Sequence, residues 1–192
     1  MPGTGGELAV HLARQCGLSG VTVERTEDGD HYDPIGKVVR LSESSYDGKS
    51  LTAVTVAAHE IGHAIQDHIG YGPLQLRTRL VVFAQFAERF GAIVLIALPF
   101  ITVITRTPIA GAATFAAGLA ILLIPVGVHL ITLPVEFDAS FNRALPVLDR
   151  RYLPTEDMPA ARSILRACAF TYVAASLATL FNVWRWITIL RR

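Results

Sequence analysis

Cysteine is scarce in this 192-residue chain: there are two, Cys16 and Cys168, with no CxxC spacing. Their separation points to neither a disulfide framework nor a cysteine-built zinc site, and leaves two thiols expected in buried helices. Charge is equally thin. Only 17% of residues are charged and the formal net charge is +1, without a dense basic run, so a nucleic-acid partner is set aside. Residues 1 to 20 hold no continuous apolar core, so no secretory signal peptide is expected there. What is plentiful is apolar side chain, 52% of residues, giving a mean hydropathy of +0.43. That composition belongs to the membrane class.

Against this background His59-Glu60-Ile61-Gly62-His63 stands out. At about 3.6 residues per turn, His59 and His63 share one helix face a turn apart, so both imidazoles can reach one Zn²⁺. Glu60 then sits beside the metal, placed to act as general base on a water. Ala57, Ala58, Ile61, Gly62, Ala64 and Ile65 are all uncharged, so the helix is expected to be mostly buried. Unpaired histidines and a carboxylate would be costly there, and a shared metal removes that cost. The bland alternative is a set of partly solvated polar residues at a helix end.

Thr4-Gly5-Gly6-Glu7 fits a capping box, and Leu8, Leu12, Ala13 and Cys16 recur at helical spacing until Gly17 supplies a stop. Val21–Arg25 and Lys37–Leu41 read as two strands of a small β-hairpin, separated by a polar segment with a turn at Asp33-Pro34-Ile35-Gly36. Such a hairpin either supports the next helix or offers an edge on which an extended peptide pairs. Ser50 is a plausible N-cap for the motif helix, Leu51 to about His68, ending near Gly70 and Pro73. Its β-branched run Val54-Thr55-Val56 means burial, rather than propensity, must hold it. His68, five residues past His63, faces away from the two motif histidines and reads as solvated or capping.

Beyond Arg77 and Arg79 the chain turns apolar. Gly91 to Thr105 reaches transmembrane length if its helix begins near Leu80 and tolerates Glu88 and Arg89; Ile109 to Leu133 is a longer run with His129 as its one ionisable group. Thr105-Arg106-Thr107-Pro108 is short enough to be a tight turn, so the two runs are expected to form an antiparallel transmembrane hairpin. Ala167 to Trp184, followed by Arg185, Trp186 and Arg191-Arg192, is a third span or an interfacial helix. The expected fold is mainly α, a single membrane-embedded domain over residues 1–192. Within it, 1–79 hold the N-terminal helix, hairpin and motif helix, 80–133 the transmembrane hairpin, 134–166 a further ligand helix and loop, and 167–192 the C-terminal apolar helix.

Catalytic zinc usually takes three protein ligands and leaves one position open. Glu136, in Leu133-Pro134-Val135-Glu136-Phe137-Asp138-Ala139-Ser140, is the preferred third ligand, with Asp138 and the intramembrane His129 as rivals. Pro134 can sit in the first turn of a new or kinked helix leaving the membrane. A two-span hairpin returns the chain to the side it left, as it must if Glu136 is to meet His59 and His63.

Taken together, "HYDP" at His31–Pro34, "KVVRLSE" at Lys37–Glu43, "AAHEIGHAIQ" at Ala57–Gln66, "LPVEFDAS" at Leu133–Ser140 and "TYVAA" at Thr171–Ala175 resemble the YugP-type neutral zinc metallopeptidases of bacterial membranes. The resemblance runs from about Gly3 to the C-terminus. It implies a gluzincin-like site in which His59, His63 and Glu136 hold zinc and Glu60 is catalytic; more distantly the chain is similar to the HtpX and CAAX prenyl protease group. Members usually carry an extra hydrophobic helix before the region matching Gly3, which this chain starts without; either the start is set downstream or membrane attachment is lighter. The HtpX-like relatives commonly have aspartate four residues after the zinc glutamate, where this chain has Ser140. A carboxylate bracing a ligand histidine would therefore have to come from elsewhere.

The expected chemistry is hydrolysis of a protein or peptide substrate by zinc-activated water, with Glu60 as base and Arg143 as a candidate for the oxyanion. Arg77, Arg79, Arg143, Arg150, Arg151, Arg162 and Arg166 lie on one side of the expected hairpin and only Arg106 at its tip, which places the site on the cytoplasmic side of the cell membrane. Arg185, Arg191 and Arg192 dissent if the last helix crosses. Two other readings are a non-catalytic zinc-binding membrane scaffold and a small transporter that uses His129.

Overall fold

The capping box forms as its residues require. Glu7 N donates to Thr4 Oγ1 at 3.1 Å and Thr4 N donates to Glu7 Oε2 at 2.8 Å, which starts α1 (Gly5–Gln15). Gly17, at φ +66°, turns the chain away after it. The computed structural model describes residues 2–190. The side chains of Glu88, Arg150, Arg151, Trp184, Arg185 and Trp186, together with Arg191 and Arg192, on which the span and orientation expectations draw, lie outside the described residues.

The strands differ from the expected hairpin. β1 (Thr22–Thr26) and β3 (Val38–Ser42) pair in parallel, Thr22 opposite Val38 and Thr26 opposite Ser42. A third strand, β2 (His31–Asp33), pairs antiparallel with β3, giving the order β1-β3-β2. The segment after β1 is long enough to turn back before the Asp33–Gly36 turn, so that turn joins β2 to β3 instead of β1 to β3. Asp33 shapes it by accepting from Ile35 N at 2.9 Å, Gly36 N at 3.0 Å and Arg40 Nη1 at 2.9 Å. The Gly36 bond leads in holding the Asp33 carboxyl below its ordinary range, against the opposing pull of burial and with help from Arg40 and Ile35. Asp30 closes the other side of the loop by accepting from Ser42 N at 2.7 Å and from the hydroxyls of Ser42 and Ser45. β3, flanked on both sides, has no edge left for pairing with an extended peptide.

A single turn, α2 (Glu43–Tyr46), leads to α3 (Leu51–His68), capped by Ser50 Oγ accepting from Ala53 N at 3.1 Å. Most of α3 is buried, including the β-branched Val54 and Thr55, so its stability comes from packing. His68 is exposed. Tyr32 on β2 ties the sheet to the end of this helix, its hydroxyl donating to Asp67 Oδ2 at 2.7 Å, while Lys37 pairs with the same carboxylate. Burial, then the Asp67 contact, push the Tyr32 phenol above its ordinary range.

The chain divides into two packed units, Met1–Gln75 with Leu133–Thr171, and Leu76–Thr132 with Tyr172–Arg192. In the first, Leu12, Val39, Leu41, Ala57, Ile61, Leu148 and Leu165 form a shared core, each almost fully buried. It also holds the end of α6 (Ile124–Phe137), a π-helical segment at Asp138–Ala144, α7 (Leu145–Arg151) and the start of α8 (Met158–Leu190). Pro134 lies inside α6 rather than opening a new helix, and the widened π turns follow four residues later.

The second unit contains most of α4 (Gly72–Thr105), which begins well before Leu80, and α5 (Pro108–Leu122). α4 exposes Phe83, Phe86, Phe90, Ile93, Ile96 and Phe100 at three- and four-residue intervals. Among the described residues one helical stretch, Ile109–Asp149, contains a window long and apolar enough to cross a bilayer. Within that stretch a single turn residue, Leu123, separates α5 from α6, and helical hydrogen bonds run through it from Leu123 N to Leu119 O and from Gly127 N to Leu123 O.

Candidate metal centre

The motif helix and the segment after Pro134 meet inside the first unit. His59 and His63 lie a turn apart on α3, 4% exposed each, with ring centroids 4.8 Å apart and planes at 77°. Glu136, 1% exposed, comes from the last turn of α6. Its Oε2 is 3.3 Å from His59 Nε2 and 3.2 Å from His63 Nε2. Tetrahedral zinc with N and O ligands at about 2.0–2.1 Å holds its ligand atoms about 3.3 Å apart. The two imidazole-to-carboxylate distances therefore match two edges of such a tetrahedron, and one ligand atom from each residue lies within 4.8 Å of the others. Chemistry and geometry both fit zinc.

Both outer ring nitrogens are braced. Ser140 Oγ donates to Leu165 O at 3.2 Å and lies 3.1 Å from His59 Nδ1, so its remaining lone pair accepts from that nitrogen. Gln66 Oε1 lies 3.0 Å from His63 Nδ1, and the Gln66 amide nitrogen donates to Val135 O at 2.8 Å and Asp138 Oδ2 at 2.9 Å. With the proton on Nδ1, each ring turns its Nε2 lone pair toward Glu136, as a metal ligand must. Among the described residues, serine and glutamine oxygens, rather than a carboxylate, stand against the two Nδ1 atoms.

Asp138, the rival third ligand, is committed elsewhere. It accepts from Gln66, from Asn142 Nδ2 at 2.8 Å and from Arg143 Nε at 3.1 Å. Burial acts to raise its carboxyl, but these three donors and the Arg143 charge outweigh it and leave the group below its ordinary range. Arg143 is thus an ion-pair partner of Asp138 rather than an unengaged oxyanion donor. His129 is not in the cluster either. Glu60, next in the chain to His59, is buried at 6% exposure. Gln66 is the site residue that the sequence reading passed over. Its signal was present, three residues beyond His63 and so on a neighbouring stripe of the same helix.

Close packing sets the spacing. A β-carbon added at Gly62 would stand 2.6 Å from Ala139 O, a backbone atom of the π-helical segment between Glu136 and Ser140. Gly62→Ala should therefore push the two segments apart, costing about 1–3 kcal/mol as overpacking does. Thermal unfolding in detergent checks this, and an unchanged midpoint with unchanged zinc affinity would refute it.

A family model described as "Putative neutral zinc metallopeptidase" matches residues 1–191. The chain is also similar to "Putative membrane protease YugP" of Bacillus subtilis (strain 168), 36% identical over 190 residues that cover 97% of this chain and 80% of the relative. No solved structure gives a significant match. The buried cluster of His59, His63 and Glu136 is able to hold a metal ion, and with the family match running nearly end to end, the chain belongs to the neutral zinc metallopeptidase family.

Proposed function

We propose that this protein is a membrane-embedded endopeptidase that cleaves peptide bonds of protein substrates, with His59, His63 and Glu136 as zinc ligands and Glu60 as general base. The observation that carries this is the convergence of both Nε2 atoms on one Glu136 oxygen, at 3.3 and 3.2 Å. When bound, zinc supplies a Lewis acid that polarises a carbonyl and acidifies water. Glu60 takes a proton from the attacking water and delivers it to the departing amine. His59 and His63 are held in one tautomer by Ser140 and Gln66, which keeps their Nε2 atoms on the ligand side.

Purified protein should bind one zinc per chain and degrade an unfolded substrate such as casein. Removing the metal with 1,10-phenanthroline abolishes cleavage, and added zinc restores it. Cleavage that persists in metal-free protein refutes the proposal. The other reading, a zinc-binding membrane scaffold, predicts the same metal content and no hydrolysis.

The exposed apolar stripe of α4 and the apolar stretch from Ile109 support insertion into a bilayer, as does the name of the B. subtilis relative. We read residues 80–133 as a transmembrane hairpin with Arg106 near its tip, 167–192 as a further membrane helix, and the whole chain as one multi-pass domain. The arginine asymmetry then sets the metal centre on the cytoplasmic face. Protease protection of inside-out vesicles tests this: a tag at Arg106 that is cleaved from the cytoplasmic side would overturn it.

A further inference from the structure

We infer that Asp138 is a positioning residue for His63, acting through Gln66, whose amide it orients so that His63 presents Nε2 to the metal. The inference rests on the zinc-site reading above and concerns how that site keeps its shape.

An amide side chain can face a histidine nitrogen in two ways, and the two select opposite tautomers. If Gln66 presents oxygen, His63 carries its proton on Nδ1 and keeps the Nε2 lone pair for a ligand bond. If it presents nitrogen, the proton moves to Nε2 and the ring no longer binds metal there. Gln66 is fully buried, so water does not decide between them. Its surroundings do. The amide nitrogen faces two acceptors, Val135 O at 2.8 Å and Asp138 Oδ2 at 2.9 Å, which use both of its hydrogens. A flipped amide would set its oxygen against a carbonyl and a carboxylate.

Of the two acceptors, Asp138 has the stronger hold, because a hydrogen bond to a charged group is roughly twice as strong as a neutral one. Asp138 is in turn fixed by Asn142 at 2.8 Å and Arg143 at 3.1 Å, both within the π-helical segment. The chain of contacts thus runs from Arg143 through Asp138 and Gln66 to His63. His59 has a separate and shorter brace, Ser140 against Leu165 O. A carboxylate two residues from Glu136 therefore supports a histidine without touching it.

The test is a double-mutant cycle on zinc affinity, measured by chelator competition in purified protein, with visible spectra of the cobalt-substituted forms and metal-free unfolding midpoints alongside. Gln66→Ala and Asp138→Ala should each weaken zinc by about 10- to 100-fold, the range typical of residues that orient a ligand. In the double variant the loss should be no greater than in Gln66→Ala alone, and both single variants should shift the cobalt bands alike. Asp138→Asn, which keeps one acceptor oxygen for Gln66 but loses the charge and the acceptor for Asn142, should lose less zinc affinity than Asp138→Ala. Ser140→Ala, on the other histidine, should multiply with either. Penalties of Gln66→Ala and Asp138→Ala that multiply would overturn the inference, as would parental zinc affinity and cobalt bands in Asp138→Ala. If Asp138→Ala does not fold, an Asp138→Asn protein that loses as much zinc affinity as Gln66→Ala overturns it equally. Failure of the underlying site would look different: His63→Ala would then leave zinc affinity unchanged.

Discussion

Glu60→Gln should lower turnover by about 10²- to 10⁴-fold while zinc content stays at the parental level. The substitution is nearly isosteric, so the buried packing around residue 60 survives it. What it removes is the ability to accept a proton from water and to return it to the leaving amine. Because Glu60 is not one of the three clustered ligand residues, its loss should leave the metal in place. The comparison of turnover with metal content decides between enzyme and scaffold. A scaffold has no turnover to lose, and a Glu60→Gln protein that cleaves at the parental rate would remove this residue from the mechanism.

Glu136→Gln should give the opposite pattern, with zinc lost and activity lost along with it. A carboxamide oxygen is neutral and a far poorer zinc ligand than a carboxylate, so affinity should fall by more than the roughly 100-fold that marks the upper range for residues outside the ligand set. Stability gives an independent readout. A ligand that binds only the folded state adds about 4 kcal/mol when present at a thousandfold above its dissociation constant. The parent and Glu60→Gln should therefore melt at a higher temperature with zinc than without it, and Glu136→Gln, weakened more than about 100-fold, should keep less than about a third of that stabilisation. Two buried glutamates, similar in exposure, would then be told apart by metal binding. A Glu136→Gln protein with parental zinc affinity would leave the site without its third ligand.

What was legible in the sequence was what depends on neighbours along the chain. The Thr4 capping box, the Ser50 cap and the shared face of His59 and His63 are set by offsets of three or four residues, and each formed as those offsets require. Glu136 required a longer argument, from the return of the chain after an apolar excursion. The strand arrangement escaped because two strand-like segments and a turn signal do not reveal a short third strand: β2 is only three residues, too brief to carry an alternation pattern. The π-helical segment escaped too, since nothing in Asp138-Ala139-Ser140-Phe141 distinguishes a wide turn from a regular one. That segment also decided the fate of Arg143. At regular helical spacing it would lie near the Glu136 face, whereas it bonds Asp138. Gln66 could have been found by following the helix face three residues beyond His63, where a buried amide calls for an explanation.

The two halves of the metal centre stand 73 residues apart in the chain, His63 on one side and Glu136 on the other. Closing a loop of that length costs about 4 kcal/mol in chain entropy, before any constant term. In biosynthetic terms, a ribosome that has released the motif helix has made a two-histidine fragment and nothing able to hydrolyse a peptide. On the reading proposed above, the third ligand emerges only after the apolar stretch has been synthesised. Competence to cut, on that reading, therefore waits on synthesis of the whole apolar stretch, and a chain cut short within it carries no complete site.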